Sequence, residues 1–139
     1  MKKLGFIITL LLISFTGTAQ NKNGVTITVN IENVFSNDGS IMASLHTTET
    51  FMQGSGIMNT DIKAKKGEAT LTFENVEPGT FAIIIMHDAN DNKQMDRELN
   101  GMPKEHYATS GSTSSYGPPI FSEAKFEITN EDKELKIRF

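Results

Sequence analysis

The chain contains no cysteine and no tryptophan. Without cysteine there is no disulfide framework, no thiolate zinc site and no thiol nucleophile. Lipid attachment through an N-terminal cysteine is excluded as well. Tyrosine occurs only at Tyr107 and Tyr116. Outer-membrane barrels need aromatic girdles at both interfaces, so the alternating segment ending in Phe139 is not read as a barrel strand. There is no basic surplus either: 13 Lys and Arg face 17 Asp and Glu, a net charge of -4. Nucleic acid rewards clustered Lys and Arg, so no nucleic-acid partner is expected. An acidic surface does suit divalent cations.

The one long apolar run lies at the N-terminus. Lys2 and Lys3 precede an apolar stretch from Leu4 to Phe15, followed by the small residues Gly17, Thr18 and Ala19. This is the three-part pattern of a secretory signal peptide, and the run is short for a membrane span. Residues 1–19 are read as the signal, with cleavage after Ala19. Loss of Lys2 and Lys3 takes the charge from -4 to -6. The mature chain, residues 20–139, is expected to be a single domain, exported to the periplasm or the cell surface and not membrane-spanning. Its oligomeric state is not legible.

After a short lead, odd-numbered apolar residues alternate from Val25 to Ile31, the pattern of a half-buried strand. Asn37-Asp38-Gly39 reads as a turn. Ile41, Ala43 and Leu45 form a second strand, expected to pair with the first. Thr47 to Asn59 reads as a loop with a helical turn around Thr50. Asp61 to Lys65 reads as a short edge strand with Ile62 and Ala64 inward, and with Lys63, Lys65 and Lys66 discouraging edge-to-edge pairing. Ala69, Leu71 and Phe73 alternate next, and Glu77-Pro78-Gly79 turns the chain. Phe81 to Met86 is apolar on both faces and so reads as a central strand. Residues 88–122 form a long irregular loop, with Ser110 to Ser115 as an exposed part of it. Two further strands cover residues 124–128 and 135–139. The fold class is therefore all-β, a seven-stranded Ig-like sandwich.

A loop of over thirty residues in a small domain is unusual unless it is functional or held by something. Its first part offers a reason for order. Asp88, Asn90 and Asn92 place oxygen-bearing side chains at alternate positions, and Asp96 adds a carboxylate. Ca²⁺ takes six to eight oxygens, and a tight loop with this spacing supplies several. With Asp88 as position 1, Gln94 at 7 can offer its main-chain carbonyl. A helix-loop-helix hand would need Gly at 6 and Glu at 12. Lys93 and Leu99 stand there instead, so a missing bidentate ligand must come from Glu98 or Glu105. The metal candidates are thus Asp88, Asn90, Asn92, Gln94, Asp96, Glu98 and Glu105, for a structural Ca²⁺. The competing reading is a solvated hairpin whose Asn and Asp side chains cap their own backbone.

The piece from Phe73 to Ile83, with Pro78-Gly79 at its centre, resembles the strand-turn-strand of transthyretin-like and collagen-adhesin B-type sandwiches. The continuation His87-Asp88-x-Asn90-x-Asn92-x-x-x-Asp96, then Gly101-x-Pro103-x-Glu105, Ser110 and Pro119-x-Phe121-x-x-Ala124, resembles the bacterial family of uncharacterised exported proteins DUF2141. The resemblance runs from Val25 to Phe139. It implies a single extracytoplasmic β-sandwich of prealbumin type and supplies no activity. The chain departs from the family pattern at Lys93, where that family commonly places a Gly that would ease a positive φ.

The histidines and serines offer other chemistry. His46, His87 and His106 could in principle form a metal or acid–base cluster. The blander reading puts His46 on an exposed strand face, His87 at the end of the central strand and His106 in a polar loop. The serine-rich piece lacks a Gly-x-Ser-x-Gly elbow. Two function classes remain. The first is a secreted, non-enzymatic binding or structural module that displays its loop to an extracellular protein or carbohydrate. The alternative is a small periplasmic enzyme or ligand carrier with a pocket under the 88–122 loop, using His87, Glu105, His106 and Tyr107.

Overall fold

The computed structural model describes residues 24–111 and 117–139. Residues 1–23, which include the segment read as a signal peptide, and residues 112–116, most of the serine-rich piece, lie outside them.

Eight strands and one helical turn make up the described chain: β1 (Val25–Val34), β2 (Ser40–His46), β3 (Met58–Lys63), β4 (Gly67–Val76), β5 (Gly79–Asp88), β6 (Tyr107–Thr109), α1 (Phe121–Ala124), β7 (Phe126–Ile128) and β8 (Lys133–Arg138). They form two sheets. One runs β4-β1-β8, and the other runs β3-β2-β5-β6 with β7 also paired to β5. The all-β expectation holds. The strand expected between 61 and 65 is indeed at an edge. The added eighth strand is β6, a three-residue segment hidden inside the stretch read as loop.

The pairing expected between the first two strands is not formed. β1 lies between antiparallel β4 and parallel β8, whereas β2 lies between β3 and β5. The chain between them therefore crosses from one sheet to the other. Alternation tells which face of a strand is buried, not which strand lies beside it. Gly39 makes this crossing possible. It sits at φ 66°, and a Cβ there would come within 1.9 Å of the Asp88 carbonyl oxygen.

Both sheets bury one face in a shared core. Ile27, Val29 and Ile31 of β1, Leu71 and Phe73 of β4, and Ile137 of β8 meet Ile41, Ala43 and Leu45 of β2 and Ile83 and Ile85 of β5. Full burial of an Ile such as Ile83 stabilises by roughly 1.5–3 kcal/mol. The expected inward Ile62 is instead 42% exposed, whereas Ala64 is buried.

β5 is buried on both sides, as its sequence implies. Its odd residues enter the main core. On the other face, Ala82 packs with Phe51 and Ala124 in a second cluster, flanked by Ile84 and Phe121. The outer face of the larger sheet is thus covered by the Thr47–Phe51 turn, where the Phe51 N–H bonds the Thr47 carbonyl at 3.0 Å, and by α1. His46 lies under that turn. It is 1% exposed, its Nδ1 is 3.0 Å from the Thr50 carbonyl oxygen, and its ring meets Phe51 edge-on. It is not on an exposed face as expected. Burial holds its pKa below the usual histidine value, opposed by the Thr50 carbonyl.

Ser110 also differs from expectation. It is 3% exposed. Its hydroxyl donates to the Ala124 carbonyl (2.6 Å) and accepts the Ile83 N–H (2.8 Å). Both capacities are spent tying α1 to β5, so this serine is a structural bridge.

Candidate metal centre

Strand β5 ends on Asp88, whose side chain belongs to the covered outer face and is 0% exposed. The chain then coils back on it. Asp88 Oδ1 accepts the Asn92 N–H (3.2 Å) and Oδ2 accepts the Lys93 N–H (2.8 Å). Asn90 Oδ1 accepts the Asn92 N–H (3.1 Å), and Asn92 Oδ1 accepts the Gln94 N–H (2.9 Å). Each side-chain oxygen thus caps a main-chain donor two to five residues on. A carbonyl or carboxylate oxygen that accepts one N–H keeps a second lone pair for another partner.

Lys93 occupies the position where a Gly was anticipated. It adopts φ 63° all the same, and Asp91 adopts φ 60°. The tight turn is therefore made without glycine, at a steric cost on the order of 1 kcal/mol. The Lys93 N–H bond to Asp88 is part of what holds it there.

The far arm of the loop brings further carboxylates. Asp96 Oδ2 accepts from Asn90 Nδ2 (2.7 Å) and Asn92 Nδ2 (3.1 Å). Residues 96–104 fold into a small hairpin through Lys104 N–H to the Asp96 carbonyl (2.9 Å) and Glu98 N–H to the Met102 carbonyl (2.8 Å). That hairpin returns Glu105 to Asp96, whose N–H donates to Glu105 Oε2 (2.8 Å). The other oxygen, Oε1, is buried with no hydrogen-bond partner. Burial raises the Glu105 pKa above the usual carboxylate value. The Asp96 N–H opposes this, and the charges of Asp88 and Asp96 reinforce it, as does the carboxyl-to-carboxyl contact with Asp88, a hydrogen bond when one of the two carries a proton.

Five of the seven sequence candidates are therefore brought together: Asp88, Asn90, Asn92, Asp96 and Glu105. Gln94, expected to offer only its main-chain carbonyl, is held in the loop by its N–H bond to Asn92 Oδ1, whereas Glu98 is exposed on the hairpin. Among the described residues no group of three His, Cys, Asp or Glu side chains is already set at metal-binding geometry. The donor set is instead a mixture of carboxylates and amides, with Asp96 bonded to its two asparagines.

Two cationic contacts went unseen in the sequence. Lys63 forms an ion pair with Asp91, whose other oxygen accepts from the Ser40 hydroxyl (2.6 Å). Lys93 Nζ pairs with Asp61 at 3.2 Å. Both staple the loop to the larger sheet, one to β2 and β3 and the other to β3. The hydrogen bond from Lys63 and then that from Ser40 hold the Asp91 carboxyl below its usual range. Both Asp91 carboxyl oxygens are thereby engaged by Lys63 and Ser40. Lys63, read as a guard on an exposed edge, is an anchor. The chemical clue was a lysine on the edge strand and an acidic residue between two loop asparagines, but nothing in the spacing says that they meet.

Of the four polar groups proposed for an enzyme, His87 and His106 both border the Phe35–Phe139 ring pair. His87 is buried, and its Nε2 is 2.8 Å from the Asp38 carbonyl oxygen. Glu105 belongs to the acidic cluster. His106 stacks on Phe35 with ring centroids 4.0 Å apart. Tyr107 alone of the four lines a cavity of about 640 Å³ beside the loop, together with Met52, Ile84, Met95, Arg97 and Met102 among others.

No helix among the described residues is long and apolar enough to cross a membrane. No curated protein and no solved structure matches the chain significantly. A family model does match, over residues 29–136, from within β1 to within β8, and includes the acidic loop, Glu105 and Ser110. The chain belongs to DUF2141, a family described as an uncharacterised protein conserved in bacteria.

Proposed function

We propose that the protein is an exported, non-enzymatic β-sandwich of prealbumin type whose Asp88–Asp96 loop binds one structural Ca²⁺. Glu105 is the carboxylate that completes the set. One observation carries this reading: Glu105 Oε1 is buried, without a donor, beside the fully buried Asp88. Capping of the backbone accounts for the other loop contacts but gives no reason for that arrangement. A buried acceptor left unpaired costs about 1–3 kcal/mol. The nearby lysines are already engaged by Asp91 and Asp61. A proton on Glu105 or a divalent cation relieves the cluster, and the cation also neutralises Asp88 and Asp96.

On binding, Asn90 and Asn92 would release Asp96 and share their capping oxygens with the ion. The affinity expected of such extracellular sites is Kd on the order of 10⁻⁴ to 10⁻³ M. The ion fastens the loop to β5, so that an ordered surface faces an extracellular protein or carbohydrate. The signal-peptide pattern of residues 1–19 supports export. The two facing sheets support a sandwich.

Thermal melting with calcium, magnesium and chelator tests the reading. At 10 mM Ca²⁺ the range of Kd above gives a stabilisation of about 1.4–2.7 kcal/mol, several degrees in Tm for a domain of this size. Equal melting in calcium and chelator refutes it.

A further inference from the structure

The cavity beside the loop has a lining chemistry of its own, distinct from that of the acidic centre. Its floor is Ile84, on the outer face of the central strand, and its walls include Met52, Met95, Met102 and Tyr107. At about 640 Å³ it falls within the 300–1,000 Å³ of small-molecule sites. Single exposed apolar side chains need no explanation, but convergent ones do. Met52, Met102 and Tyr107 are 49%, 62% and 37% exposed, and all three face this one cavity. Methionines suit a site that moulds itself to an apolar guest.

The lining carries one formal charge. Among the described residues Arg97 is the sole basic one there and no acidic one lines the cavity, although the whole chain is acidic. Its Nη1 donates to the Gly101 carbonyl at 3.0 Å. That bond fixes the guanidinium on the rim of the cavity and uses one of its five N–H donors. Arg presents a planar fork suited to carboxylates and sulfonates.

We propose that this cavity binds a small organic anion with an apolar body, the body resting on Ile84 and the methionines and the head group taken by Arg97. The chemistry is that of a carrier. A charge-assisted bond of this kind is worth roughly tenfold in affinity or more.

Two dyes that share an aromatic body test this on the purified full-length protein: the anion 1-anilinonaphthalene-8-sulfonate and the neutral N-phenyl-1-naphthylamine. Fluorescence titration should show both binding to the native protein. Arg97→Met should weaken the anion about tenfold and leave the neutral dye unchanged. Met102→Glu, at a position too exposed to disturb folding, should weaken both. Three results would overturn the proposal: no enhancement with the native protein, equal binding by the native chain and both variants, or equal loss of the two dyes in Arg97→Met.

Discussion

At the scale of single residues, Glu105 is where the account is most exposed to test. Its raised pKa fixes the sign of a pH effect in calcium-free protein. A carboxyl that titrates higher in the folded state binds more protons there than when unfolded, so stability rises as pH falls. The window runs from the raised folded value down to the ordinary value of 4.5. This contribution is complete below 4.5 and is lost as pH climbs through the folded value. His46, whose lowered pKa acts in the opposite direction over part of this range, is common to both chains, so the rise should appear as the difference between chelator-treated native protein and Glu105→Gln in chemical denaturation. Calcium competes with the proton, so in millimolar calcium the same acidification should weaken ion binding. Lys93 gives a second residue-scale prediction. Lys93→Gly removes the penalty of φ 63°, roughly 0.5–1 kcal/mol, but also the exposed ion pair to Asp61, worth about 0–1 kcal/mol. Against Lys93→Ala, which loses the same ion pair and keeps the strain, it should be more stable by roughly 0.5–1 kcal/mol, read by denaturant midpoint. The alternating oxygens of Asp88, Asn90 and Asn92 were legible because side-chain chemistry and spacing are local. The choice of Glu105 over Glu98 was not, because a hairpin decides which of them returns.

Elements show the same division. The strand pattern of Val25–Ile31, Ile41–Leu45 and Phe81–Met86 is written in its alternation, and these segments are β1, β2 and β5. Their partners are not written there, which is why β2 was expected beside β1 and lies in the other sheet. β6 escaped notice because three residues are too few to show a period. What holds it is Ser110, whose main-chain N–H also donates to the Ile83 carbonyl at 2.9 Å. Ser110→Ala should leave the Ile83 N–H and the Ala124 carbonyl without their partner and cost about 1–3 kcal/mol. Urea denaturation checks the size of the loss. Ser110→Thr, which keeps the hydroxyl, should recover part of it if the added methyl is accommodated.

For the molecule as a whole, the acidic centre and the apolar cavity share one segment. Met95 and Arg97 flank Asp96, and Tyr107 follows Glu105 by two residues. An ion that fixes Asp96 and Glu105 therefore also fixes one wall of the cavity. If the proposed ion orders that wall, calcium and the guest raise each other's affinity, and linkage makes the factor the same for both. Dye titrations with calcium and with chelator should differ by severalfold, and the calcium Kd should shift by the same ratio in saturating dye. Independent affinities would leave two separate sites. The central claim itself is tested most directly by calorimetric titration of calcium into metal-stripped protein, with magnesium as the control. The account predicts one site per chain with Kd on the order of 10⁻⁴ to 10⁻³ M, absent in Asp88→Asn and Glu105→Gln. No heat from calcium at millimolar concentration, or a signal that both variants retain, would contradict it.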